Sequence, residues 1–243
     1  MEKLGQNYII TGYKPDVTQD FLDRLGPHHR EGIGGIKLTT HCAENAQSEW
    51  AKHQGICSVR NVPFYVGGGL MDQAIKDGTP YDLVKKLHAA EIDTIEISNP
   101  EDVDPQEFLK IAKRIRQDFN RVLVEIGKKD YQEYPLHWWM RRLLNAEETG
   151  ADAIVLEGAG SGRVGIYHID GSPRHRLVES IAEITETPII IEAPYKSQQD
   201  LWIEKFGPNI PLGNILLNTQ AVQDVSVSRE REAIRRKTTA MNC

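Results

Sequence analysis

No apolar run in the 243-residue chain approaches the roughly 18 residues that a membrane-crossing helix requires, so no membrane-spanning helix is expected. Cysteine is scarce. Cys42, Cys57 and Cys243 lie far apart without CxxC spacing, which signals neither a disulfide framework nor a zinc knuckle. Positive charge is not in excess: 29 basic residues against 35 acidic ones leave a net charge of −6, which argues against nucleic acid as a partner. No low-complexity or Gly/Pro-rich linker interrupts the chain, so it reads as one domain over residues 1–243, neither disordered nor fibrous. The opening MEKLGQNYII lacks the apolar stretch of a secretory signal, and a cytoplasmic protein is expected. What the chain does have is a hydrophobic content of 40%, enough to bury a large core.

Repetition is the strongest organising signal. Short aliphatic runs recur about every 30 residues, with an amphipathic stretch between each pair. There are eight: Asn7–Tyr13, Gly35–Thr39, Val62–Val66, Thr94–Ser98, Val122–Ile126, Ala153–Glu157, Ile189–Glu192 and Asn214–Asn218. Their apolar character is nearly continuous, as in parallel strands buried on both faces. Helix starts are marked by Asp16, Thr79–Pro80, Asp104–Pro105 with Glu107, Ser172–Pro173, and Ser197 with Asp200. Gly150 and Gly207 serve as stops. Eight such β/α units predict an α/β fold, a single (β/α)8 TIM barrel. A doubly wound sheet is the alternative, but TGYKP after the first strand is not its glycine-rich turn. The late stretch Arg229–Lys237 reads as a solvated helix end of mixed charge.

Active sites of this fold lie at the C-terminal ends of the strands. Four successive strands end in glutamate: Glu96, Glu125, Glu157 and Glu192. A carboxylate there is costly to bury unless it is paired or bound to a cation, and four converging on one mouth need counter-charge. Hard oxygen donors suit Mg²⁺, so these four are the candidate metal ligands, with ion pairing to barrel lysines as the plain alternative. Lys37, Lys128, Lys129 and Lys196 stand in matching places. A lysine facing carboxylates can act as proton donor or electrostatic clamp. Gly67–Gly69 and Gly158–Gly162 form glycine-rich turns whose N–H groups can approach an anion, which marks Gly68 and Gly69 for substrate. Lys196, Ser197 and Gln198 open a helix after the seventh strand, a frequent phosphate site in barrels. His41 follows the second strand and can reach the mouth. Cys42 beside it has no base partner for a nucleophile's role. His168 lies in the long loop after the sixth strand, and Trp138–Trp139 read as core or interface residues.

Several strings carry a resemblance. EISN (Glu96–Asn99), EIGKKD (Glu125–Asp130), GADAIVLEGAGSG (Gly150–Gly162) and above all EAPYKSQQ with IEKFGPNIPLGNI (Glu192–Ile215) resemble the phosphosulfolactate synthase family, with GGGL (Gly67–Leu70) and IKL around Lys37 in register. The resemblance covers about residues 10 to 220. It implies a Mg²⁺-dependent lyase that adds sulfite to phosphoenolpyruvate, giving 2-phospho-3-sulfolactate on the way to coenzyme M. The partner is then a small anionic substrate, with no nucleic acid and no membrane, and with room for a homo-oligomer. Negative charge moves onto the substrate carboxylate as sulfur attacks C3. The resemblance then implies Lys128 or Lys129 as the acid at C2 and Lys37 as the clamp.

The chain also departs from the family pattern. Thr11–Gly12 replaces Asp-x-Gly, and Thr39–Thr40–His41 follows Lys37 where the family has G-W-G. Ala159–Gly160 replaces R-E, Asn218 stands where an acid is usual, and the arginine-rich C-terminal string is absent. With Ala159 in place of an arginine, Arg163 is the substitute anion partner. These departures leave open a same-scaffold lyase with a changed substrate or nucleophile. They also leave open a catalytically silent relative that acts by binding, as in related plant heat-stress proteins.

Overall fold

The structure, a computed structural model, describes residues 7–10, 19–38, 46–98 and 103–241. Eight strands form the sheet: β1 (Asn7–Ile10), β2 (Ile33–Leu38), β3 (Phe64–Val66), β4 (Thr94–Ser98), β5 (Arg121–Ile126), β6 (Ala153–Leu156), β7 (Ile189–Glu192) and β8 (Leu212–Leu216). All pair in parallel and in chain order, and β8 returns to β1. The β1–β8 ladder, with Ile9 opposite Ile215, closes the sheet into a (β/α)8 barrel and rules out the open alternative.

The helices around it are α1 (Gln19–Glu31), α2 (Ala46–Ser58), α3 (Gly68–Lys76), α4 (Pro80–Ala89), α5 (Pro105–Arg116), α6 (Leu136–Glu148), α7 (His175–Ile184), α8 (Lys196–Phe206) and α9 (Thr219–Met241). Among the described residues none is long and apolar enough to cross a membrane.

The continuous apolar runs serve two cores because successive strand residues face opposite ways. Val122, Val124, Ile154, Leu156, Ile189 and Ile191 face outward into the large core shared with the helices. Tyr8, Tyr65, Leu123, Ala153, Val155 and Ile190 form a second cluster inside the barrel. The same alternation carries Glu125 inward two residues after Leu123, and Glu192 two residues after Ile190. The strand ends therefore deliver their acids to one mouth.

Several local expectations need correction. The glycines at 67–69 are not a free turn: Gly67 caps α3, which Gly68 and Gly69 open, an extra helix before β4. Asp104 caps α5 as its sequence suggests, accepting from Gln106 N at 2.9 Å and Glu107 N at 3.1 Å. Ser172 caps nothing. Its N–H and hydroxyl both bond Asp170, Pro173 bridges back to Tyr167, and α7 starts only at His175. Ser197 lies inside the first turn of α8, because Tyr195 takes the cap position, while Asp200 is held by Lys196 and by the Ser228 hydroxyl. The stretch Arg229–Lys237 is not wholly solvated. Arg229 is buried and reaches Asn7 Oδ1 at 2.9 Å, and Arg236 bonds Glu204 O at 2.8 Å, so α9 is stitched to the start of β1 and the end of α8.

Candidate active site

The four strand-end glutamates meet. Glu96, Glu125, Glu157 and Glu192 are each less than 5% exposed and share two lysines. Lys37, inward on β2, places its amine 3.3 Å from both oxygens of Glu96, 2.9 Å from Glu192 Oε1 and 4.0 Å from Glu125 Oε2. Lys129, four residues beyond Glu125, places its amine 3.0 Å from Glu125 Oε1 and 3.0 Å from Glu157 Oε2. Backbone donors complete the network. Gly68 N donates to Glu96 at 2.9 Å, and Gly158 N and Ala159 N donate to Glu192 Oε2 at 2.9 and 3.0 Å. Ala159 N also reaches Glu157 Oε1 at 2.6 Å, and the Ser98 hydroxyl donates to Glu125 at 3.2 Å.

Local geometry explains why Lys129 enters and Lys128 does not. Gly127 turns the chain with φ 128°, and a Cβ there would lie 2.4 Å from Glu157 Cβ. The chain thus passes directly over the end of β6. Lys128 comes off on the other side, its amine 5.0 Å over the Tyr134 ring and 4.0 Å from Asp130.

Charge is unevenly balanced. Four carboxylates against two amines leave two negative charges in excess when all are ionised. Burial is the largest influence on Glu96; reinforced by Glu125 and Glu192 and opposed by Lys37, it raises the carboxyl from 4.5 to about 7. Burial and the charges of Glu125 and Glu192 hold Glu157 well above the usual carboxylate range. Burial would raise Glu125 too, but Lys129 and Lys37 outweigh it and hold it low. Glu125 and Glu157 in turn hold Lys129 protonated above its ordinary range. For Lys37, burial opposes the charge, and Glu192 and Glu96 overcome it.

The donor set fits a hard divalent ion. Only when Glu96 and Glu157 give up the protons that burial favours do its oxygens carry two negative charges in excess, the state a cation would stabilise, and Glu157 Oε2 is buried with Lys129 as its ion-pair partner. Among the described residues no three Asp, Glu, His or Cys side chains form a ready cage. Pairs of carboxylates are what this mouth offers, and Mg²⁺ is commonly held by one or two carboxylates together with substrate oxygens and water.

The expected anion-binding residues are more scattered. The N–H of Gly68 is engaged by Glu96, and Gly69 follows it in the first turn of α3. Gln198 is buried and clasps the loop after β6, donating to Gly162 O at 2.9 Å and Gly171 O at 3.1 Å. Lys196 turns its amine to Asp200 and to Ser228 Oγ, while Ser197 and Arg163 are exposed. His168 pairs with Glu133 away from the cluster. His41, Cys42 and Thr39–Thr40 lie outside the described residues, as do Thr11–Gly12 and Asn99.

Ser98 belongs to the network although the sequence did not single it out. Its signal was there, two residues after Glu96 on the same strand and so on the same face. The N–H donors of Gly158 and Ala159 lie in a glycine-rich turn the sequence marked for an anion, and the anion they meet is the Glu192 carboxylate.

Over residues 4–233 the chain matches the family described as (2R)-phospho-3-sulfolactate synthase (ComA). It is 28% identical over 213 residues to the phosphosulfolactate synthase of Methanocaldococcus jannaschii, covering 84% of this chain and 82% of that one. It is 29% identical over 189 residues to the phosphosulfolactate synthase of Bacillus subtilis, covering 74% and 71%. Among solved structures, thiamine phosphate pyrophosphorylase from Pyrococcus furiosus superposes with a TM-score of 0.60 over 93% of this chain and 96% of that one; at 14% identity the likeness is one of fold alone.

Proposed function

The chain belongs to the (2R)-phospho-3-sulfolactate synthase family, and from that premise we propose that it is a lyase joining the sulfur of sulfite to C3 of phosphoenolpyruvate, with Mg²⁺ as cofactor. The observation that supports this reading is the meeting of Glu96, Glu125, Glu157 and Glu192 with Lys37 and Lys129 at the barrel mouth. Sulfur attack on C3 drives the C2–C3 electron pair toward the substrate carboxylate, and the resulting enediolate-like species takes a proton at C2. Such chemistry needs fixed positive charge where negative charge develops. Lys37, held by Glu96 and Glu192, supplies it from within the mouth. Lys129 holds the proton to be delivered. Carbon C2 of the enediolate is far more basic than an amine, so the transfer runs downhill even from a lysine that holds its proton tightly.

Glu157 and Glu125 would hold Mg²⁺, which when bound supplies positive charge to the substrate's oxygens. The phosphate would rest at the start of α8, where the N–H groups of Lys196 and Ser197 come before the first intrahelical bonds. Gly162 packs against Tyr195 and Gln198, which brings the chain at Arg163 to the same helix start. Incubating the protein with Mg²⁺, phosphoenolpyruvate and sulfite should yield phosphosulfolactate by mass spectrometry. No product with either sulfite or thiosulfate would sink the reading.

One observation favours a second reading, a lyase of the same scaffold acting on a non-phosphorylated enoyl acid. The N–H groups of Gly68, Gly158 and Ala159 are already engaged by carboxylates, leaving few backbone donors at the mouth for a phosphate. Turnover of such an acid, but not of phosphoenolpyruvate, would decide for it.

A further inference from the structure

Glu192 is held at two points, and the second is not part of the charge network. Its carboxylate meets Lys37, Gly158 N and Ala159 N. The β6–β7 register ends at Leu156 opposite Ile191, and beyond it Gly158 N bonds the Glu192 side chain and not its main-chain oxygen. Tyr167, from the loop after β6, bonds that oxygen: its hydroxyl lies 2.7 Å from Glu192 O. The Tyr167 ring packs closely on Gly158, where a Cβ would come within 2.7 Å of the ring and 2.8 Å of Glu192 O. Behind Tyr167 stands Trp202 of α8, fully buried, with Nε1 at 2.9 Å from the same hydroxyl. An indole N–H can only donate. The tyrosine oxygen therefore accepts from Trp202, and its one proton is directed at Glu192 O.

We infer that Tyr167, oriented by Trp202, is a positioning residue that fixes the end of β7, and through it the placement of the Glu192 carboxylate and the Lys37 amine. The inference rests on the reading of this mouth as the reaction site. The Tyr167 hydroxyl bonds the main chain of Glu192 and not its carboxylate. The hydroxyl's effect passes through the peptide of Glu192, whose displacement would move the carboxylate away from Lys37 and the two amides together. A small misplacement of this kind is enough to slow a positioned reaction roughly a hundredfold.

Tyr167→Phe removes only the hydroxyl. It should lower kcat for phosphoenolpyruvate and sulfite by roughly ten- to a hundredfold with a much smaller change in KM. It should also speed amide exchange at Gly158 and Ala159 by about tenfold in NMR measurements. The exchange readout does not depend on the reaction. A natural protein inactive toward phosphoenolpyruvate, but with faster exchange in the variant, upholds the positioning role while the proposed reaction fails. Unchanged kcat with unchanged exchange overturns the inference, and so does a loss of thermal stability with both unchanged. Trp202→Phe, which frees the hydroxyl to rotate, should shift both readouts in the same direction. In the unaltered protein the Tyr167 hydroxyl proton should appear as a slowly exchanging resonance; its absence overturns the inference even if neither variant folds.

Discussion

Lys128 and Lys129 are consecutive, yet the turn at Gly127 sends one amine over the Tyr134 ring and the other between Glu125 and Glu157. Lys129→Ala should therefore lower kcat/KM by about 10²–10³-fold, as expected for loss of one charge-stabilising group. Lys128→Ala should cost less than about tenfold, and steady-state kinetics with phosphoenolpyruvate and sulfite compares the two. Equal losses would remove the assignment. Glu96 permits a test by pH. Its carboxyl is raised from 4.5 to about 7 by burial and by Glu125 and Glu192, against Lys37. Between those values the folded protein keeps a proton that the unfolded chain has lost, so folding binds the proton and raising the pH through this window destabilises. The loss is on the order of 3 kcal/mol, complete above pH of about 7. Denaturant titrations at pH 5 and pH 8 should show a smaller difference in Glu96→Gln than in the natural protein.

Helix starts show how local chemistry and tertiary context compete. Asp104 precedes Pro105 and bonds two amides of α5, so Asp104→Ala should cost about 1 kcal/mol in chemical denaturation. Ser197 has the same sequence pattern but sits past the cap, exposed in the first turn of α8, and Ser197→Ala should change stability by less than about 0.5 kcal/mol. A larger effect of Ser197 would mean that it, and not Tyr195, marks the helix start. Strand ends were more legible than helix starts. Thr94–Ser98 and Ile189–Glu192 have the bounds their apolar runs suggest, because burial on both faces leaves no other reading. The loop after β6 was not legible. Its shape depends on Gln198 reaching Gly162 and Gly171 from α8, contacts that span 36 and 27 positions.

Closure of the barrel brings acids from four strands and a lysine from a fifth within reach of one another. The raised carboxyls of Glu96 and Glu157 are a property of that ring and of no single residue. Added Mg²⁺ should raise the melting temperature; at a hundred times its dissociation constant the gain is about 2.7 kcal/mol. Glu125→Gln with Glu157→Gln should abolish the shift, and EDTA should abolish turnover. A protein whose melting temperature ignores Mg²⁺ and whose activity survives EDTA would remove the metal from the proposed reaction. Charge balance also bears on Lys37, which lies less than 10% exposed with Glu96 and Glu192 against it. Burying an amine is tolerable here because two carboxylates face it at once.

The sequence alone determined the eightfold alternation, the parallel sheet and the acids at the strand ends, because hydrophobic periodicity and strand length are local properties that burial makes visible. It also placed Lys37 and Lys129 among the candidates, the first as a charge within an apolar run and the second as a lysine just past a strand end. Only the tertiary structure decided which lysine of a neighbouring pair joins the acids. It alone showed Gln198 clasping the loop after β6, and brought Tyr167 and Trp202 behind Glu192. Those choices depend on the direction in which a side chain leaves a closed ring of strands, and direction is settled by contacts between residues far apart in the chain.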